Sequence, residues 1–279
     1  MKILSKEIIA EHEGTQVTRF QIHAPDIAQK IKPGQFIVVM VEEKGERIPL
    51  TVVDKDTEKG IITLIVQGIG FSTKLMGKLK KGDSLYAIVG PMGNSTEIKK
   101  YGKVILVGGG VGIAEIYPLA KALKQAGNHV VTILGARTKE LLILEKDMKT
   151  VSDESYITTD NGSCGEKGFV TDVLKKLLTY NLEHRTYNLV YAVGPIPMMQ
   201  KVASVTKEFN VHTVVSLNAL MVDATGMCGG CRVKIGEEVK FSCVDGPEFD
   251  AHLVDWDELI KRTRVYSKKE NHICKLNQL

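Results

Sequence analysis

Lys103-Val104-Ile105-Leu106-Val107 runs into Gly108-Gly109-Gly110-Val111-Gly112-Ile113-Ala114, a short apolar stretch that breaks into glycine and then takes up a helical period. The helix predicted from Ile113 ends at Gly127, a residue type that commonly stops helices. Glycine at the break has a physical use. Without Cβ atoms the backbone can come close to a pyrophosphate, whose charge meets the free N–H groups and positive end of the helix. The last glycine falls one residue too early for G-x-G-x-x-G. Taken alone, the turn serves equally well to tighten a strand–helix connection.

Further apolar strands are predicted at His129 to Leu134, Ser155 to Thr159, Asn188 to Val193 and His212 to Leu217. Helices are predicted between them, over Val170 to Tyr180 and Pro197 to Asn210. Such alternation implies βαβ units on a parallel sheet. Thr159-Asp160-Asn161-Gly162-Ser163 and Ala192-Val193-Gly194-Pro195 then stand, like the glycine turn, at the carboxyl ends of strands. Open α/β sheets bind ligands there. Each tip alone is a turn; the three together favour a dinucleotide site.

Upstream the pattern is different. Gln16 to Ile22, Phe36 to Val41, Ile61 to Val66 and Ser84 to Val89 read as short strands. They are punctuated by Pro33-Gly34, Lys44-Gly45, Lys59-Gly60 and Gly82-Asp83, each a turn signal. Short strands without long helices predict a small antiparallel barrel. In it, Arg47-Ile48-Pro49-Leu50-Thr51 joins a cation, a rigid turn and a hydroxyl. Ile65-Val66-Gln67-Gly68-Ile69-Gly70-Phe71-Ser72-Thr73 ends a strand in a glycine-rich loop with two hydroxyls. Such groups suit a flavin edge and its phosphates, but a hairpin would use the same glycines.

Downstream, Asp223-Ala-Thr-Gly-Met-Cys228-Gly-Gly-Cys231 is followed by Cys243. Plant-type [2Fe–2S] centres use C-x4-C-x2-C and a distant fourth Cys. This chain has that spacing, with Asp223 in the first position. Carboxylate is harder than thiolate but carries the same single charge, so it suits ferric iron and no Rieske-like rise in potential is expected. The competing reading is a structural zinc site built from Cys228, Cys231, Cys243 and either Asp223 or His252. Cys164 and Cys274 have no ligand-like neighbours and read as ordinary small residues. Two short strands, Arg232 to Ile235 and Val239 to Phe241, follow the first cysteines. A final helix starts at Trp256, with Asp255 and Glu258 as a capping pair.

Length and composition set the bounds. The 279 residues, 43% apolar and 25% charged, suit a globular chain of two domains with room for a small third. Lys plus Arg (37) against Asp plus Glu (33) leaves +4, too small an excess for a nucleic-acid or membrane-surface partner. Aromatics at 6% supply no base-stacking platform. Five cysteines and no signal-peptide pattern argue against a disulfide framework. The chain reads as soluble and cytoplasmic. Its expected domains are a flavin-binding barrel over 1–97, a nucleotide-binding α/β domain over 98–217 and an iron–sulfur segment over 218–279.

The order of these motifs resembles the ferredoxin–NADP⁺ reductase superfamily over residues 1–217. From Ser216 onward the chain is similar to the iron–sulfur tail of the dihydroorotate dehydrogenase electron-transfer subunit. With Asp223 in place of the first Cys, it resembles more closely the small subunits of NADH-dependent reduced ferredoxin:NADP⁺ oxidoreductase, also called sulfide dehydrogenase beta subunits. The resemblance implies that Ile48, Pro49, Leu50, Thr51, Ile65, Val66, Gln67, Gly70, Ser72 and Thr73 contact FAD. Arg47 lies one position away from the superfamily's usual arginine. Gly109, Gly110, Val111, Gly112, Ile113, Ala114, Asp160, Gly162, Gly194 and Pro195 map to the NAD(H) site. Asp223, Cys228, Cys231 and Cys243 are the implied iron ligands. No side chain acts as a catalytic acid or base, because hydride passes directly between nicotinamide and flavin and single electrons pass to the cluster.

The implied partner is a larger glutamate-synthase-like flavoprotein with its own FAD and [4Fe–4S] clusters, through which electron bifurcation reaches ferredoxin. A dihydroorotate dehydrogenase partner is the alternative, and a zinc-stabilised nucleotide-binding module without redox activity is the alternative of another class.

Overall fold

The computed structural model describes residues 1–180 and 187–265; Cys274 lies outside them. The chain forms two compact units. The first comprises Met1–Ser95, Asn218–Pro247 and the segment from Asp255, and the second Thr96–Leu217 and Glu248–Val254.

In the first unit, β1 (Ile3–His12), β2 (Thr15–His23), β3 (Phe36–Met40), β4 (Ile48–Thr51), β5 (Asp54–Asp56), β6 (Ile61–Gln67) and β7 (Ala87–Met92) form two antiparallel sheets. Their orders are β1-β2-β6-β5 and β4-β3-β7. Both sheets contribute to one core that includes Phe20, Ile22, Ile37, Val39, Ile62 and Leu64. These residues alternate along their strands, so the opposite positions face away from it. Helix α1 (Pro25–Lys30) starts with Pro25 in its first turn and adds Ile27 and Ala28 to the same core. A second short helix, α2 (Phe71–Lys78), follows β6 directly. The strand expected at Ser84 to Val89 is found three residues later, as β7.

The second unit alternates β8 (Lys103–Gly109), α3 (Gly112–Gln125), β9 (His129–Ala136), α4 (Glu145–Val151), β10 (Glu154–Thr159), β11 (Glu166–Lys167), α5 (Val170–Tyr180), β12 (Tyr187–Val193), α6 (Ile196–Glu208) and β13 (Thr213–Ser216). The chain then leaves this unit for the hairpin β14 (Arg232–Ile235) and β15 (Glu238–Phe241). It returns as β16 (Glu248–Asp250) and leaves again for α7 (Trp256–Thr263). The sheet order is β11-β10-β9-β8-β12-β13-β16. All neighbours are parallel except β13 and β16. Strand order reverses between β8 and β12, which makes their carboxyl ends the topological switch point. Among the described residues no helix is long and apolar enough to cross a membrane.

β16 carries a buried acid into this sheet. One oxygen of Glu248 accepts the Tyr191 hydroxyl at 2.6 Å and also the hydroxyl of Thr96. Burial raises its carboxyl above the ordinary 4.5, against the pull of those two donors. A raised folded value means that the native state holds a proton the unfolded chain has released. This contribution is intact below pH 4.5 and fades as pH climbs from there through the raised value. Glu248→Gln cannot ionise. Thermal melts between about pH 4.5 and pH 8 should show the wild type losing ground to the variant by on the order of a few degrees. Parallel curves would show that Glu248 does not titrate across this range.

Candidate functional site

The glycine turn of the second unit does two different things. A Cβ at Gly112 would stand 2.4 Å from the carbonyl oxygen of Val193, and one at Gly109 would stand 2.3 Å from Met198 Sδ. One at Gly108 would meet Ile113 Cα at 2.9 Å. These glycines let α3 and the start of α6 press against the tips of β8 and β12. Gly110 differs: at φ +58° it has nothing within 4 Å of an added Cβ. Its N–H is held by the Gly135 carbonyl at 2.8 Å and its carbonyl accepts the Ile113 N–H at 3.2 Å, so what it leaves open at the switch point is the space a side chain would fill, which suits close approach of a phosphate.

Gly194 and Pro195 lie beside this turn, since a Cβ at Gly194 would stand 3.1 Å from the Gly109 carbonyl oxygen. Val111 caps α3. Ile113 and Ala114 are buried, and their N–H groups donate to the Gly110 and Val111 carbonyls at 3.2 and 2.9 Å. Asp160 and Gly162 end β10, which is separated from β8 by β9. The Asp160 N–H is held by the Ala136 carbonyl at 3.1 Å. The three tips therefore share one edge of the sheet, two as neighbours and the third across an intervening strand. Met198, which packs under Gly109, carries no sequence signal of its own.

In the first unit the predicted flavin residues divide by alternation. Ile48, Leu50 and Val66 pack on the barrel core. Pro49, Thr51, Ile65 and Gln67 occupy the alternate positions of β4 and β6 and face the other way. The glycine-rich loop proves to be the entry to α2. Gly70 caps the helix, and Thr73 Oγ1 accepts the N–H groups of Ile69 at 3.1 Å and Gly70 at 3.0 Å. The Thr73 hydroxyl is thus a helix cap. The Ser72 hydroxyl, nearly buried, donates to the Glu46 carboxylate. A negative group already sits at this helix start, where the helix field favours one. That chemistry suits an anion, and an FAD phosphate would take the place of the Glu46 carboxylate on the Ser72 hydroxyl; Pro49, Thr51 and Gln67 remain accessible for its other parts, whereas Ile65 is buried. Arg47 points elsewhere, its Nη1 lying 3.5 Å from the Asp223 carbonyl oxygen.

The ligand loop belongs to the same unit. Asp223 folds it: one carboxylate oxygen accepts the Thr225 N–H and the other the Cys228 N–H, each at 2.9 Å. The Thr225 N–H, with the Cys228 contacts, holds the Asp223 carboxyl below its ordinary value. Ala224, Gly226 and Gly229 take left-handed backbone, at φ +60°, +85° and +64°. The Gly230 N–H donates to Cys228 Sγ at 3.3 Å, and the Cys243 N–H to Cys231 Sγ at 3.5 Å. Cys231 and Cys243 are buried with their sulfurs 3.1 Å apart, and Cys228 is exposed. Burial and the adjacent Cys231 thiol push the Cys243 thiol up to about 12.

The four predicted ligands therefore stand as two neighbouring pairs, Asp223 with Cys228 and Cys231 with Cys243. Among the described residues, no three His, Cys, Asp or Glu side chains gather about one point. The donor set of three thiols and one carboxylate, served by backbone N–H groups, fits a binuclear iron–sulfur group. His252, the alternative zinc ligand, is engaged with Thr206 Oγ1 at 3.0 Å. Cys164 is half-buried, and its backbone carbonyl accepts the Thr159 hydroxyl.

An oxidoreductase FAD-binding domain matches residues 1–96, an oxidoreductase NAD-binding domain 106–204, and the iron-sulfur cluster binding domain of dihydroorotate dehydrogenase B 218–255. A dihydroorotate dehydrogenase B (NAD⁺) electron transfer subunit homolog of Thermotoga maritima is 49% identical over 269 residues, 96% of this chain and 92% of that protein. The electron transfer subunit of dihydroorotate dehydrogenase B from Caldanaerobacter subterraneus is 36% identical over 231 residues, 81% of this chain and 88% of that one.

Among solved structures, one from work on flavin-based electron bifurcation by NADH-dependent reduced ferredoxin-NADP oxidoreductase superposes with a TM-score of 0.91 at 46% identity. It covers 100% of this chain and 98% of its own. The ferredoxin-NADP⁺ reductase of Plasmodium falciparum, at 16% identity and TM-score 0.61 over 77% of this chain and 94% of its own, shares the fold. The chain belongs to the family of dihydroorotate dehydrogenase B electron transfer subunits and their homologues, oxidoreductase components with FAD-, NAD- and iron–sulfur-binding domains.

Proposed function

We propose that this chain is the small subunit of an NADH-dependent reduced ferredoxin:NADP⁺ oxidoreductase, passing electrons between NAD(H), FAD and a [2Fe–2S] cluster to or from a larger flavoprotein subunit in the cytoplasm. The observation that carries it is Asp223, which stands at the first ligand position and organises the cysteine loop with both carboxylate oxygens. The whole-chain similarity to the bifurcating reductase supports it. A second reading, a dihydroorotate dehydrogenase partner, is favoured by the iron–sulfur domain match and by the names of the relatives. The partner proposed here is a glutamate-synthase-like flavoprotein with FAD and [4Fe–4S] clusters, and ferredoxin is reached through it. The functional divisions proposed along the chain are 1–97, 98–217 and 218–279.

When bound, nicotinamide and FAD supply two-electron hydride transfer and the cluster supplies one-electron steps. The protein binds and orients. Gly110, with no side chain on the open side of the turn, lets the nucleotide phosphates come close at the switch point, and Gly194 and Pro195 border them. Pro49, Thr51 and Gln67 present the outward barrel face to the flavin, with the Ser72 hydroxyl at the start of α2 for a phosphate that displaces the Glu46 carboxylate. Asp223, Cys228, Cys231 and Cys243 would hold the cluster. Met227 and Val222, exposed on the ligand loop, are proposed to meet the partner.

Anaerobically purified protein is expected to show flavin absorption together with iron and acid-labile sulfide. A colourless protein containing zinc would end this reading, and co-purification from the native source decides between the two partners. Cys231→Ala should lose the cluster, as read by iron content and low-temperature EPR; a full, stable cluster in that variant would disprove the ligand assignment. Asp223→Cys keeps ligand charge and number but has one acceptor atom for two N–H groups. It should retain a [2Fe–2S] centre that releases iron faster than the wild type.

Gly110→Val, at a left-handed φ on the open side of the turn, should abolish NADH-dependent dye reduction while flavin content stays at the wild-type level. Retained activity would make the turn purely structural.

A further inference from the structure

The N–H groups of the ligand loop turn toward its donors, and three of its carbonyl oxygens are each met by an arginine. Arg262 Nη2 donates to the Gly230 carbonyl at 3.0 Å, Arg232 Nη1 to that of Gly229 at 3.4 Å, and Arg47 Nη1 approaches that of Asp223 at 3.5 Å. The three come from separate places in the first unit: α7, β14 and the approach to β4. Arg262 makes the shortest contact and is partly buried, whereas the contacts of Arg47 and Arg232 are exposed. α7 lies beyond residues 218–255, the span matched by the iron–sulfur domain. It is tied to the hairpin by the Asp255 N–H, which donates to the Lys234 carbonyl at 2.9 Å.

We propose that Arg47, Arg232 and Arg262 form a cationic collar around the cluster loop, with Arg262 its principal member and the presentation of that residue the function of α7. The collar rests on the iron–sulfur reading above. With its thiols deprotonated, the donor set of Asp223, Cys228, Cys231 and Cys243 brings four negative charges to one short loop. Holding its carbonyls from outside keeps its N–H groups aimed inward. Guanidinium suits this role because it is always charged and presents a rigid fork of donors. One-electron reduction of the centre, with the electron drawn from reduced flavin, adds one further negative charge. Fixed cations nearby favour that reduced form and so raise the potential, and the partly buried Arg262 is the least screened by solvent. These are positioning residues: each acts through the loop.

The test uses the full chain with its cluster and flavin, and reads the cluster's midpoint potential by EPR-monitored titration and iron release to a chelator. Arg262→Gln, which removes the charge but keeps an amide donor, should shift the potential to a more negative value with FAD content unchanged. Arg262→Lys should recover most of that shift, which a purely structural role would not predict. Arg262→Ala should also release iron roughly tenfold faster, the usual scale for losing a group that supports a metal ligand.

If Arg262→Ala does not accumulate as folded protein, the exposed pair Arg47→Gln with Arg232→Gln is measured instead and should shift the potential in the same direction by less. Wild-type potential and wild-type iron release in Arg262→Gln would overturn the collar. Loss of FAD from Arg47→Gln with the cluster potential unmoved would remove Arg47 from it and return that residue to the flavin. Wild-type protein without iron would instead remove the iron–sulfur reading beneath it.

Discussion

A single methyl group at Gly112 would stand 2.4 Å from the Val193 carbonyl oxygen, and the arrangement of the second unit depends on that closeness. Because α3 can start against the end of β12, the reversal of strand order leaves a tight seam at the carboxyl edge of the sheet. Gly109 extends the same contact to Met198, and only Gly110 is left facing open space. Three glycines are thus consumed by packing, while the fourth leaves the space of a side chain open beside them. The ligand loop applies the same principle in the first unit. There Gly226 and Gly229 permit the left-handed turns that point N–H groups at sulfur and carboxylate.

What was legible in the sequence is what a local rule decides. α5 occurs over Val170–Tyr180 and β14 over Arg232–Ile235, as their patterns predict, and Asp255 caps α7 through the Glu258 N–H at 3.0 Å. β1 was not legible, because its pairing with β2 shifts register between Ile3 and Ser5 and again between Ile8 and Ala10. Each shift breaks the period of two that marks a strand. β7 lies three residues later than expected because the strand runs on through Gly90-Pro91, with an irregular register against β3. α2 has only eight residues, with two hydroxyls at its start and Gly77 near its end, and so looks like a loop. β16 is three residues that count as a strand only because β13 pairs with them.

The candidate sites divide along the same line. Cys228 and Cys231, with Asp223, are readable because ligand spacing is a local property, and the glycine turn is readable because it follows a strand and opens a helix. The arginines are not: Arg47 lies 176 residues from Asp223 and Arg262 lies 32 from Gly230, and no pattern links such separations before folding. The one-residue offset of Arg47 was visible in the sequence but not its destination. The place nearer Thr51, where the superfamily's arginine would stand, holds Ile48, which packs on the barrel core.

Choosing Asp223 over a thiolate changes more than the hardness of one ligand. A carboxylate has two oxygens, and both are engaged by N–H groups of its own loop at 2.9 Å; a thiolate offers one large, weakly accepting atom. Asp223 therefore sets the loop's conformation, and as the proposed first ligand it would also contribute its charge. Since that charge equals a thiolate's, the substitution leaves the sum of ligand charges unchanged, and any adjustment of the electrostatics must come from outside the donor set. Residues such as Arg262 lie there, on carbonyls that the inward turn of the N–H groups has left facing out. On the proposed assignment, ligand identity and outer charge are separable, one fixing the shape of the loop and the other the ease with which it would accept an electron.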